Sequence, residues 1–160
     1  MARQTFFSFR YKKDNWRAAI VRNSWVTKDK TANPNGFFDS ADWEAVKKKS
    51  DAAIETWIKN QMTGTSVTVV LIGSDTAGKK WIDFEIAESH NKGNGILGIY
   101  IHEIKDKDQN ISIKGKNPFL NWTFKKGGVE VKYPVYDWFK DDGYNNLATW
   151  IENAAKAAGR

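Results

Sequence analysis

Apolar positions along this chain fall into blocks whose period switches between that of a strand and that of a helix. Thr5-Phe6-Phe7-Ser8-Phe9 reads as a short aromatic strand, and the segment after it carries Asp14 as an N-cap candidate with Trp16, Ala19 and Ile20 at helical spacing. Asn33-Pro34-Asn35-Gly36 has the composition of a turn, with a short strand expected over Gly36-Phe37-Phe38. From Ser50 or Asp51 onward, Ile54, Trp57, Ile58 and Met62 recur at helical spacing and Gly64 stands where a helix stop belongs. A helix is therefore predicted over 51–62.

Val67 to Ile72, VTVVLI, is β-branched and almost continuously apolar, the pattern of a central parallel strand covered by helices on both faces. Gly73-Ser74-Asp75-Thr76 then supplies cap candidates for a helix through Trp81, Ile82, Glu85, Ile86 and Ser89. Ile96 to Ile101 reads as the next strand and Tyr133 to Asp137 as the last, the latter beginning near a proline as an edge strand tolerates. Leu147, Trp150, Ile151, Ala154 and Ala158 mark a closing amphipathic helix after Asp141-Asp142-Gly143. Residues 105–132 are polar and aperiodic, and read as an insertion or the flank of an active site.

Alternating strands and helices over 160 residues predict an α/β fold. The expected form is a single flavodoxin-like, three-layer domain over residues 1–160, with a central, mostly parallel sheet of about five strands. No repeat or Pro/Ser-rich linker marks a second domain. Ligands of such sheets bind outside the carboxyl ends of the strands, where the crossover direction switches. That rule places Ser8-Phe9-Arg10, Gly73-Ser74-Asp75 and His102-Glu103 along one edge.

Composition narrows the chemistry. The chain has no Cys, which removes thiol catalysis and thiolate zinc sites. His90 and His102 stand far apart and in no ligand spacing, so no metal site is expected. No apolar run approaches the roughly 20 residues that span a bilayer, and the first residues lack the core of a signal peptide, so a cytoplasmic protein with no membrane partner is expected. A net charge of +6 favours anionic partners. The lysines form short clusters interrupted by acids, as solvated helix faces do, so no nucleic-acid partner is expected; a nucleotide pyrophosphate fits the excess equally well.

Gly93-Asn94-Gly95-Ile96-Leu97-Gly98 satisfies G-x-G-x-x-G, but it closes a helix and enters a strand, the reverse of a dinucleotide fingerprint. Gly93 and Gly95 accordingly read as C-cap and turn residues. Gly78-Lys79-Lys80 lacks the spacing of a P-loop. Trp81 and Glu85, four apart, share a helix face near the carboxyl edge of the sheet, a carboxylate beside an aromatic platform as in sugar sites. Taken alone, the pair reads rather as a core Trp and a solvated Glu. Glu88, one turn on, is either solvated or a second acid that raises the pKa of the first.

The segments Phe6-Phe7-Ser8-Phe9-Arg10, VVLIGSDTAGKKWIDFEIAES from Val69 to Ser89, GNGILGIYIH, Gly115-Lys116-Asn117-Pro118-Phe119 and Asp141-Asp142-Gly143-Tyr144-Asn145-Asn146 resemble a bacterial TIR-like family, the group that includes the Thoeris anti-phage defence protein. The resemblance implies cleavage of NAD at the nicotinamide–ribose bond, with Glu85 as the catalytic residue and a cyclic ADP-ribose isomer as messenger product. It also implies that Ser8, Phe9, Arg10 and Trp81 bind substrate, that NAD is substrate rather than cofactor, and that an effector protein senses the product. Assembly into a homo-oligomer belongs to the same expectation. Two other readings stand beside it: a non-catalytic TIR-like adaptor, and a nucleoside glycosyl-transfer enzyme using Glu85 as nucleophile.

Overall fold

The computed structural model describes residues 3–35 and 40–160, without the side chains of 40–42. Its core is a five-stranded parallel sheet of β1 (Gln4–Ser8), β2 (Asn33–Asn35), β3 (Val67–Ile72), β4 (Gly95–Tyr100) and, from later in the chain, β7 (Val135–Asp137). The strand order is β2-β1-β3-β4-β7. Every pairing in it is parallel, with Ser8 opposite Val70 and Ile72 opposite Tyr100. From β1 the chain moves outward to β2 and then returns to the other side of β1, which puts the topological switch between β1 and β3.

VTVVLI is buried at all six positions, as a strand covered on both faces must be. One layer is α1 (Tyr11–Lys28) with α5 (Gly143–Ala157), packed on Phe7, Val69, Leu71, Leu97 and Ile99. The opposite layer contains α3 (Asp51–Met62) and α4 (Lys80–Lys92), whose Ile54, Ile58, Ile82 and Ile86 meet Phe6, Val70, Ile72 and Ile96. A buried polar tie crosses that second interface, since Ser89 on α4 and Thr68 on β3 share a hydrogen bond of 2.7 Å. The expected α/β, three-layer, flavodoxin-like architecture is the one observed.

α3 occupies the expected 51–62, with the Ser50 side chain accepting a hydrogen bond from the Ala53 backbone N–H. Gly93 closes α4 at φ 83°, a left-handed C-cap that favours glycine. Gly95, expected in a turn, instead opens β4.

α1 departs from its expectation. It begins at Tyr11, with Arg10 in the cap position, so Asp14 does not cap it. Its buried face holds Asp14, Arg17, Ala18, Val21 and Trp25, whereas Trp16 and Ile20 are exposed. The reason is a charged pair inside the protein: Arg17 donates to Asp14 at 3.3 Å and to the backbone carbonyls of Ile104 and Asn110 at 2.6 and 3.0 Å. Neither Ser74 nor Asp75 caps α4; Thr76 accepts from the Gly73 N–H at 2.8 Å and folds the loop on itself.

Asn33-Pro34-Asn35 is not a turn but the edge strand β2, where an outer position relieves proline of a ladder donor. The strand expected at Gly36–Phe38 lies outside the described residues. A short helix not anticipated, α2 (Ser40–Val46), precedes α3. Residues 105–132 are more than an insertion: they end in the antiparallel hairpin β5 (Phe124–Lys126) and β6 (Val129–Val131), which plants Phe119 and Phe124 against α4 and β4. Asn117 fixes that approach by accepting the Phe119 N–H at 2.8 Å. Among the described residues no helix is long and apolar enough to cross a membrane.

Candidate active site

A cavity of about 280 Å³ opens at the carboxyl end of β1, beside the topological switch. Its walls come from three places. The end of β1 and the start of α1 supply Phe9, Arg10, Tyr11 and Lys12; the α2 segment supplies Trp43 and Lys47; the start of α4 supplies Lys79, Lys80, Trp81, Ile82 and Glu85. Helical spacing brings Trp81 and Glu85 to the same wall, one turn apart.

Glu85 sits deep in this wall. It keeps partial access to the cavity, but protein surrounds it and no cation is among the groups that perturb it, so burial pushes its carboxyl up to about 8. Opposing that rise is the hydroxyl of Ser8, which reaches across from β1. Ser8 is fully buried, and its hydroxyl makes no hydrogen bond of ordinary geometry. A carboxyl and a hydroxyl thus face each other at the floor, underused by the protein itself.

The rim has the opposite character. Phe9 stacks on Tyr11 with ring centroids 5.9 Å apart, and Trp43 follows at 6.4 Å from Tyr11 and 5.9 Å from Trp57. Trp81 is half-buried, edge-on to Phe84, with the Lys80 ammonium 4.9 Å from its ring. Exposed Lys12, Lys47, Lys79 and Lys80 stand around this aromatic wall. Lys47 pairs with Glu44 at 2.9 Å and Lys80 with Asp51, and Arg10 donates to the Asp75 carboxylate at 3.0 Å and to its backbone carbonyl at 3.4 Å. Aromatic faces and cations over a buried acid suit a ligand with flat rings, an anionic middle and a sugar at the reacting end.

Phe9, Arg10, Trp81 and Glu85 are therefore brought together, and Ser8 lies behind them, touching Glu85 rather than the open space. Glu88 is not part of the group: its carboxylate is 3.8 Å from Lys59, and burial, not Glu88, sets the state of Glu85. His102 and Glu103 lie past the end of β4, outside the cavity lining. Sequence reasoning missed Tyr11, Trp43 and Lys47, which only tertiary packing carries to the mouth.

The parallel five-stranded sheet with helices on both faces is consistent with a TIR-like fold. The model of the TIR-like domain of Thoeris protein ThsB matches residues 6–106, the stretch that holds every residue lining the cavity. A candidate cyclic ADP-D-ribose synthase from Bacillus cereus (strain MSX-D12), ThsB1, is 36% identical over 192 aligned positions covering 94% of this chain and 100% of the relative. The chain belongs to the Thoeris ThsB TIR-like family.

Proposed function

We propose that the chain cleaves NAD, releases nicotinamide and closes the remaining ADP-ribose into a cyclic product, with Glu85 as the catalytic residue. The observation that carries this reading is the half-buried Glu85 carboxyl, with a hydroxyl but no cation against it, beneath an aromatic and cationic mouth. The similarity to ThsB1 supports the same reaction.

Nicotinamide leaves from a cationic pyridinium, so the bonding pair of the N-glycosidic bond passes to the ring nitrogen and no general acid is needed. Positive charge develops at the ribose C1. Glu85 as carboxylate stabilises that charge from a low-dielectric position, where a fixed charge acts most strongly. Ser8 holds the carboxyl, Trp81 packs against the nicotinamide–ribose end, and Phe9 and Arg10 contact the nucleotide. Lys79 and its neighbours bind the pyrophosphate. A nucleophilic atom from the other end of the same molecule then bonds to C1 and gives up its proton; excluding water from the cavity favours ring closure over hydrolysis.

In the free protein Glu85 keeps its proton below about 8. The cationic substrate supplies the missing counter-charge, so binding itself readies the carboxylate. A domain that only assembled with partners would gain nothing from an uncompensated buried acid, which disfavours the adaptor reading. NAD is consumed here as substrate, in the cytoplasm, and the product signals to an effector protein in defence against phage.

The test is mass-resolved chromatography of protein with NAD, in purified form and in lysate of phage-infected cells, beside Glu85→Gln. Nicotinamide and a product one water lighter than ADP-ribose, absent with the variant, are expected. Undiminished turnover by Glu85→Gln would overturn the reading.

A further inference from the structure

A second cluster of chemistry-bearing side chains lies beyond the carboxyl ends of β4 and β7, outside the Glu85 cavity. One ligating atom from each of His102, Glu103 and Asp137 falls within 4.8 Å of the others. His102 Nε2 is 3.5 Å from Glu103 Oε1. Clustered carboxylates are common on surfaces, but here His102 and Asp137 are only 8% and 6% exposed. Both are also incompletely satisfied. Asp137 accepts the Phe139 and Lys140 N–H groups on Oδ1, at 3.0 and 3.1 Å, while its buried Oδ2 has no partner. His102 Nδ1 is likewise buried and unpartnered. A buried polar atom without a partner is costly, and a cation seated against Asp137 Oδ2 removes that cost there.

The backbone fixes both sides of the cluster. The Asp137 N–H donates to Asp141 at 2.7 Å, and the His102 carbonyl accepts the Ser112 N–H at 2.8 Å. Tyr100 packs edge-on against His102, with the Lys114 ammonium 4.5 Å from the Tyr100 ring. One imidazole nitrogen and two carboxylate oxygens, with no sulfur, are a donor set for borderline divalent cations, and two carboxylates neutralise a dication.

We propose that His102, Glu103 and Asp137 bind one divalent transition-metal ion, clipping the loop after β4 to the end of β7. Three protein ligands leave at least one coordination position to water or an added anion. Sequence spacing concealed this arrangement, because the third ligand comes from another strand. The site is independent of Glu85 and of NAD chemistry, so either proposal can fail alone.

Chelator-treated full-length protein is titrated with Zn²⁺ and with Mn²⁺ by calorimetry and thermal melting. Saturable binding of one ion per chain is expected, with a Tm that rises with metal concentration. His102→Gln and the more exposed Glu103→Gln should each weaken binding at least tenfold. The two histidines of the chain give a direct readout. Zn²⁺ should shift the ring signals of His102 in NMR and leave those of His90, which contacts Tyr133 and the Lys125 carbonyl by hydrogen bonds. Absence of saturable binding, or binding undiminished in both variants, would overturn the proposal.

Discussion

Asp14 on α1 is a buried acid and Glu85 on α4 a half-buried one, and the protein treats them oppositely. Burial raises both carboxyls, but Asp14 has the Arg17 guanidinium at 3.3 Å to hold its rise in check. Asp14 also presses on the loop after β3: a Cβ on Gly73 would lie 2.1 Å from Asp14 Oδ2, so only glycine fits there. Arg17 also donates to the carbonyls of Ile104 and Asn110 and lies 3.9 Å from the Asp106 carboxylate. That pair is structural, a brace between α1 and the loops at the carboxyl edge. Glu85 has a hydroxyl and no cation. Removing a partner from a paired buried acid is costly to a fold, whereas an acid in a cleft with no cation beside it marks a candidate site.

The contrast is broken most sharply by removing each acid's role in turn. Glu85→Gln should lower NAD turnover at least about a thousandfold, on the scale of losing a transition-state charge stabiliser, with the circular dichroism spectrum unchanged. Arg17→Met should leave Asp14 buried and unpaired, costing on the order of 3 kcal/mol in urea unfolding. Adding Asp14→Leu to it should recover part of that loss.

Titration separates the two sites further. Glu85 releases its proton near 4.5 in the unfolded chain and near 8 in the folded one, so folding retains a proton between those values and stability falls as pH rises across the window. Glu85→Gln abolishes that slope. Its Tm relative to wild type should increase between pH 5 and pH 8.5, by on the order of 5 °C. The kcat/KM for nicotinamide release should climb to a plateau above about pH 8, with the kcat midpoint lower because bound NAD is cationic at the reacting ring. Smaller effects belong to the surroundings. Lys79→Ala should raise KM about threefold at low salt and leave kcat unchanged. Ser8→Ala should move the kcat/KM profile upward by on the order of half a pH unit, since it removes the group that lowers the Glu85 pKa.

Helices α3 and α1 mark where the sequence was readable. α3 is legible because its cap, apolar stripe and stop are all local. α1 is not, because its buried face carries Asp14 and Arg17 while Trp16 and Ile20 face outward, inverting the expected polarity. Asp14 and Arg17 pair within the helix, but it is the distant carbonyls of Ile104 and Asn110 that complete the pair's burial. The sheet was readable from VTVVLI and the alternation around it, but β2 was hidden by a proline that an edge strand tolerates. At the site, Trp81 and Glu85 could be paired from helical spacing, and the resemblance gave them a meaning. The burial of Glu85 and the arrival of Trp43 at its mouth are products of packing, invisible to any local pattern.

The strand order has a consequence for the chain while it is being made. β1 emerges from the ribosome first, yet its inner neighbour β3 follows only after α1, β2, α2 and α3, and Glu85 later still. Ser8 and Glu85 meet only when these distant segments have closed on one another, a slow, non-local event. A nascent or truncated chain that ends before α4 carries no acid to set against the hydroxyl. On the function proposed above, NAD chemistry therefore has to wait until α4 has docked beside β1.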